Sequence, residues 1–334
     1  MTAKTFKIMV AGGTIAMHAT PKGLAVDPHF KKRFGEMLQR LYPDVTYDIE
    51  VLNPALDSAS ATPETWLKLA TWVRDNQQSA SGFLILHGTD TMAYSASALS
   101  HWLAGSKQKV VFTGSQKPLG FEGSDAEANV VLALQCLQDD AHETGWVGLA
   151  FGGYLLDGAA ARKMDSVNFQ AFCSPNQPAW YANGQWQQMP QSALLLEKPS
   201  RFWRGETVSL PKQAVMMLYI SPHMPASAWE GLDDEHVLAV VIQSYGMGNL
   251  PNDQALESAL TAAQSRGVVI LNTTQCLQGG VAQGTYAAGA ARLGVVGGGI
   301  HTPESLYSLL YVGLGYGLRG EDLRIFVEQA LGVS

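Results

Sequence analysis

Apolar positions in this chain gather into short continuous runs, separated by stretches with helical spacing. Residues 6–10 (Phe6-Lys7-Ile8-Met9-Val10) and 82–86 (Gly82-Phe83-Leu84-Ile85-Leu86) are the clearest runs. They have strand length and little alternation, the pattern of parallel strands covered on both faces. Residues 46–52 and 109–113 read as further strands, and residues 146–151 and 154–156 as a strand pair around Gly152-Gly153. Helices are expected at residues 63–76, 93–103 and 124–138. Thr62 is positioned to cap the first, with Pro63 at its first position and Glu64 in its first turn. Asp125 and Glu127 suit the positive end of the third. Strands alternating with helices imply a doubly wound, mainly parallel sheet.

The periodicity lapses over residues 175–211, where prolines, Trp180, Trp186 and Trp203 lie among polar residues. This segment reads as a linker with irregular or edge-strand structure. A second set follows, with strands at 214–220, 237–242 and 268–272 and helices at 253–265, 303–314 and 321–331. The expected fold class is therefore α/β, with a larger N-terminal doubly wound domain (1–190), a linker (191–212) and a smaller C-terminal α/β domain (213–334). A length of 334 residues also favours two domains.

Composition narrows the classes of function. Apolar residues make up 46% and charged residues 15%, which supports ordered cores. The formal charge of −7 and the lack of a basic stripe argue against a nucleic-acid partner. Lys31-Lys32-Arg33, the longest basic cluster, reads as a solvated helix face. Cys136, Cys173 and Cys276 form no C-x-x-C pair, and are expected to be reduced, mostly buried thiols. The N-terminal segment lacks a secretory pattern and no apolar run has spanning length, so a cytoplasmic chain without a membrane partner is expected.

The first two runs each lead into a segment with chemistry: Ala11-Gly12-Gly13-Thr14-Ile15-Ala16 and His87-Gly88-Thr89-Asp90-Thr91-Met92. Loops at the carboxyl ends of strands form the ligand crevice of open α/β sheets. Two threonines, an aspartate and tight glycine turns point to a hydroxyl nucleophile and a polar substrate, with no metal and no cofactor. Each residue also has a structural reading. Thr14 could cap a backbone N–H, Asp90 could cap the next helix, Lys163 could lie on the surface, and His87 reads as a strand-end residue held by hydrogen bonds.

Together the segments resemble the two signature motifs of the bacterial-type L-asparaginases. Phe112-Thr113-Gly114-Ser115-Gln116, Pro118-Leu119, Arg162-Lys163, the segment from Phe172 to Pro175, Ser244-Tyr245-Gly246-Met247-Gly248-Asn249 and Thr274-Gln275-Cys276 follow in the family's order. Length and the missing signal resemble the cytoplasmic type I branch. The resemblance implies conversion of L-asparagine to L-aspartate and ammonia through an acyl-enzyme on Thr14. It implies a second catalytic set of Thr89, Asp90 and Lys163, with Lys163 acting on the Thr89 hydroxyl. Backbone N–H groups of Gly12-Gly13 and Gly88-Thr89 would receive the oxyanion. Gly13, Ser58, Ala59, Thr89 and Asp90 would hold the substrate, Asp90 taking its α-ammonium and Ser58 its α-carboxylate. Asn249 would come from a neighbouring subunit of a homodimer or homotetramer.

The chain departs from the family pattern at three places. Gly23-Leu24-Ala25-Val26 lacks the tyrosine that many members carry in the loop after the nucleophile. Tyr311 is the candidate replacement, with Tyr307 one helical turn away. Ala59 follows Ser58 where relatives carry a polar side chain, and one lost hydrogen bond costs about 0.5–1.5 kcal/mol. Gln243 stands where allosteric cytoplasmic members tend to carry arginine, so activation by asparagine is not expected. The alternatives are a glutaminase-like hydrolase of small amides and a catalytically weakened amino-acid-binding protein of the same fold. A nucleotide-binding reading fails, because the single G-x-G-x-x-G match, Gly315 to Gly320, follows a helix instead of a strand.

Overall fold

The computed structural model describes residues 4–140, 145–188, 190, 192, 196, 198–281 and 293–333. It divides into two compact units, Met1–Ser192 with Lys198–Trp203, and Ala193–Glu197 with Arg204–Ser334. The first opens with β1 (Thr5–Gly12), a hairpin of β2 (Met17–Thr20) and β3 (Gly23–Val26), α1 (Phe30–Leu41) and β4 (Thr46–Leu56). Next come α2 (Pro63–Asp75), β5 (Gly82–Leu86), α3 (Met92–Trp102), β6 (Lys109–Thr113) and α4 (Ala126–Gln138). The unit ends with β7 (Trp146–Phe151), β8 (Tyr154–Asp157) and the two-residue strands β9 (Arg162–Lys163), β10 (Phe172–Cys173), β11 (Tyr181–Ala182) and β12 (Gln185–Trp186).

Eight strands form one sheet in the order β12-β11-β8-β7-β6-β5-β1-β4. The five from β4 to β7 are parallel, and β8, β11 and β12 join antiparallel. From β1 the chain moves out to β4 on one side and then returns to β5 on the other. The strand order therefore reverses between β1 and β5, the place where an open sheet leaves a crevice at its carboxyl ends. Phe6, Ile8, Leu84 and Leu86 are wholly buried along these two strands. Helix α3 is buried nearly all round, which its Ala and Ser residues permit by letting neighbours approach closely. Helix α1 buries Phe30, Phe34, Met37 and Leu38 along one stripe and turns Lys31 and Lys32 to solvent.

The second unit holds β13 (Val215–Tyr219), β14 (Ala239–Ser244), α5 (Gln254–Ser265), β15 (Val269–Thr274), β16 (Val296–Gly297), α6 (Pro303–Gly315) and α7 (Gly320–Leu331). Its four strands are parallel and lie in chain order. The Asp253 carboxylate accepts from Ala255 and Leu256 N–H at the start of α5, and Thr302 caps α6 ahead of Pro303. Gly315 ends α6 and Gly320 begins α7, so that glycine pattern is a helix–helix turn.

Several expectations change. The strand after α1 extends to Leu56, and the segment after Thr14 is a hairpin. The tryptophan-rich segment supplies edge strands: Trp180 is 1% exposed, and the Trp186 indole donates to Asp139 at 2.6 Å. Residues 198–203, read as linker, belong to the first unit, where Ser200 donates to the Trp102 carbonyl and the Phe202 ring lies beside Trp102. Of the three free cysteines, Cys136 is buried, Cys173 half-buried and Cys276 exposed, which corrects the expectation of mostly buried thiols. No described helix is long and apolar enough to cross a membrane.

Candidate active site

Three glycines bring the strand ends together. Gly12 and Gly13 have φ of +141° and +91°, backbone that side chains resist. A Cβ on Gly13 would lie 2.4 Å from Gly88 Cα, and a Cβ on Gly88 would lie 2.3 Å from Ser58 Oγ. The turns after β1, β4 and β5 are thus in direct contact, and each places a hydroxyl residue at the junction: Thr14, Ser58 and Thr89. Thr91 secures the arrangement by donating to the Ser58 carbonyl at 2.7 Å. Ser58 is 4% exposed and opens a single 3-10 turn in which Asp57 accepts from Ala59 N–H. Ala59 itself is exposed. Thr14 opens the turn Thr14–Ala16 and is half-buried, while Ile15 and Ala16 point into the core.

Lys163 reaches this junction from β9. Its Nζ donates to Thr89 Oγ1 at 2.8 Å and to Asp90 Oδ1 at 2.7 Å. The lysine side chain is 22% exposed and the aspartate 60%. A pair this exposed stabilises by only about 0–1 kcal/mol, so its consequence is placement of the ammonium. A hydroxyl that accepts from an ammonium keeps its own proton available to donate. Asp90 does not cap α3, whose N-cap is Thr91, and Lys163 is not a freely solvated residue. The short ribbon behind it is anchored by Phe172, paired with Lys163 and packed edge-on to Phe151 at 5.1 Å.

His87 is 1% exposed at the end of β5. Its Nδ1 lies 2.8 Å from the Gly88 carbonyl and its Nε2 lies 2.9 Å from Ser95 Oγ. Burial pushes the imidazole down to about 4, so the ring is neutral at pH 7. A carbonyl only accepts, which puts the proton on Nδ1 and lets Ser95 donate to Nε2.

A second polar cluster supports the loop after β6. Asp125 accepts from Gln116 and Lys117 N–H instead of capping α4, and Asn129 bridges the Gly114 carbonyl, Asp125 and Gly152 N–H. Reading the sequence missed Ser95 and Asn129; polar residues on otherwise apolar helices were the available signal.

Asn249 and Tyr311 belong to the second unit. Asn249 closes a tight turn after β14, exchanging backbone hydrogen bonds with Tyr245. Tyr311 is 2% exposed within α6 and its hydroxyl accepts from Ala214 N–H at 3.2 Å. The hydroxyl accepts there, so its own proton stays available to donate. Leu24 is exposed on β3.

A parallel sheet whose reversal point carries two threonine turns and a lysine defines an α/β protein with hydroxyl groups and an ammonium gathered at its carboxyl end. Comparison with known proteins is specific. Residues 5–192 match the family model described as asparaginase, N-terminal, and residues 214–326 match the glutaminase/asparaginase C-terminal domain. The chain belongs to the asparaginase family. It is 33% identical over 337 residues to L-asparaginase 1 of Escherichia coli, covering 99% of this chain and 98% of that protein. The crystal structure of L-asparaginase I from Vibrio cholerae superposes with a TM-score of 0.82 at 31% identity, covering 98% of both chains. The human 60 kDa lysophospholipase is 34% identical over 271 residues, which is 80% of this chain and 46% of that protein.

Proposed function

We propose that this chain hydrolyses the side-chain amide of L-asparagine to L-aspartate and ammonia. Thr14 Oγ1 attacks the amide carbonyl, the N–H groups at the Gly13 and Gly88 turns receive the oxyanion, and ammonia leaves with the transferred proton. Water then opens the ester on Thr14 and releases aspartate. The observation that carries this reading is the Lys163–Thr89 hydrogen bond, 2.8 Å long, beside the touching Gly13 and Gly88 turns. In the first unit Thr89, held by Lys163, relays the proton: its oxygen takes the Thr14 proton as its own passes to the leaving nitrogen. Tyr311 of the second unit is the other candidate carrier. Asp90 and Ser58 take the α-ammonium and α-carboxylate. Asn249 completes the site from a neighbouring subunit of a homodimer or homotetramer, in the cytoplasm.

Exposed Ala59 beside Ser58 favours a second reading, in which weaker hold on the α-groups admits glutamine or another small amide. Ammonia release from asparagine and glutamine, measured side by side with trapping of an ester on Thr14 by mass spectrometry, tests both. Tight aspartate binding without turnover of either amide would overturn them in favour of a binding protein.

A further inference from the structure

We infer that His87 is a positioning residue for the oxyanion donor at Thr89, an inference that rests on the hydrolase reading above. The ring touches no surface from which substrate could approach, since His87 is 1% exposed and Ser95 wholly buried. What it does grip is the carbonyl of the next residue, Gly88, at 2.8 Å. That carbonyl and the Thr89 N–H share one trans peptide plane and point in opposite directions. Fixing the carbonyl against the ring therefore fixes the N–H on the side away from it.

A glycine needs such a clamp. Gly88 has no Cβ to limit rotation of its peptide, and its contacts with Gly13 and Ser58 exclude any side chain that could supply one. Ser95 holds the clamp in its working form. The Gly88 carbonyl draws the single proton of the neutral ring to Nδ1, and the Ser95 hydroxyl, 2.9 Å from Nε2, donates to the lone pair left there. His87 N–H is itself tied to the Thr113 carbonyl at 2.8 Å, and the ring lies edge-on to Phe112, 5.9 Å away. The base of the clamp is therefore as rigid as the sheet. Donors that are preorganised for a developing oxyanion act on turnover more than on substrate affinity.

Two substitutions separate positioning from packing. Asparagine places an N–H donor on the atom bonded to Cγ, where Nδ1 sits, whereas glutamine places it one bond further out, toward Ser95. His87→Gln is expected to lower kcat for asparagine roughly 10- to 100-fold with KM within about twofold. His87→Asn is expected to recover most of that loss, although it leaves the larger void. Packing alone predicts the reverse order, so a kcat for His87→Gln equal to or above that of His87→Asn overturns the inference. Should neither variant fold, Ser95→Ala carries the test: a lower kcat at unchanged KM supports the clamp, and an unchanged kcat overturns it. A wild-type chain that releases no ammonia, or a Thr14→Val variant that turns over normally, overturns the hydrolase reading itself. A normal kcat in His87→Gln alone leaves that reading standing.

Discussion

The two sheets of this protein share a parallel ladder and end strands in similar residues, yet among the described residues they dispose the hydroxyls at those ends differently. In the second unit, strands lie in chain order and the polar side chains at their carboxyl ends bond to backbone. Ser244 donates to the Thr273 carbonyl, Thr273 to the His301 carbonyl, and Gln275 to the Gln243 carbonyl. In the first unit the order reverses between β1 and β5, so the turns after them diverge from their own strands and meet each other. Thr14 is half-buried at that meeting point, and Thr89 receives a lysine from a distant ribbon. A threonine at a strand end is thus chemically ambiguous, and topology decides whether its hydroxyl completes the backbone's hydrogen bonding or faces a crevice.

The largest effects are expected where the junction is cut. Thr14→Val should remove all but less than about a hundredth of ammonia release while leaving the circular dichroism spectrum unchanged, since loss of a covalent nucleophile usually costs far more. Lys163→Met should lower kcat strongly and KM little; a change confined to KM would make the lysine a binding residue.

Glycines at the two sets of strand ends sharpen the contrast. Gly13→Ala forces a Cβ against Gly88 at φ +91°, and about 3 kcal/mol or more of stability should be lost in urea titration. Gly246, in the turn after β14, has φ +48° and open space around its Cβ position, so Gly246→Ala should cost only about 1 kcal/mol. Equal losses would show that the junction is not the tight contact described.

Stability should also fall as the solution becomes more acidic. His87 is held down to about 4 by burial, below the usual 6.5, so the unfolded chain takes up its proton first. The contribution is complete above pH 6.5 and is lost as pH falls towards 4, on the order of 3 kcal/mol for this group. His301, also pushed to about 4 by burial, adds the same sign in the second unit. Both act over the same window, so His87→Asn should roughly halve the slope between pH 6.5 and 4 and leave the His301 share. The smallest effect belongs to Tyr311→Phe: it removes the acceptor of Ala214 N–H, so about 1 kcal/mol of stability should go. A large fall in kcat there would support the proton-transfer role of the tyrosine.

Much of this architecture was legible in the chain. Strands at 109–113 and 146–151 carry the bounds read from their apolar runs, and Thr62 with Pro63 marks the start of α2, because strand burial and capping are local demands. The glycine–threonine turns at the ends of β1 and β5 were equally readable, since a tight turn needs particular residues in sequence. Other features were decided by distant partners. Lys163 lies 74 residues from Thr89 and reaches it only because the β9–β10 ribbon places it there. Asp125 has the signature of a helix cap, yet accepts from Gln116 and Lys117 N–H groups brought to it by the loop after β6. Tyr311 has a helical position open to either role, and only the fold gives its oxygen a donor, Ala214 N–H, 97 residues away. Sequence alone determined which turns and elements form and which residue types stand at their ends. Tertiary structure decided what each of those side chains touches, because hydrogen-bond partners and burial depend on strand order, which no local pattern encodes.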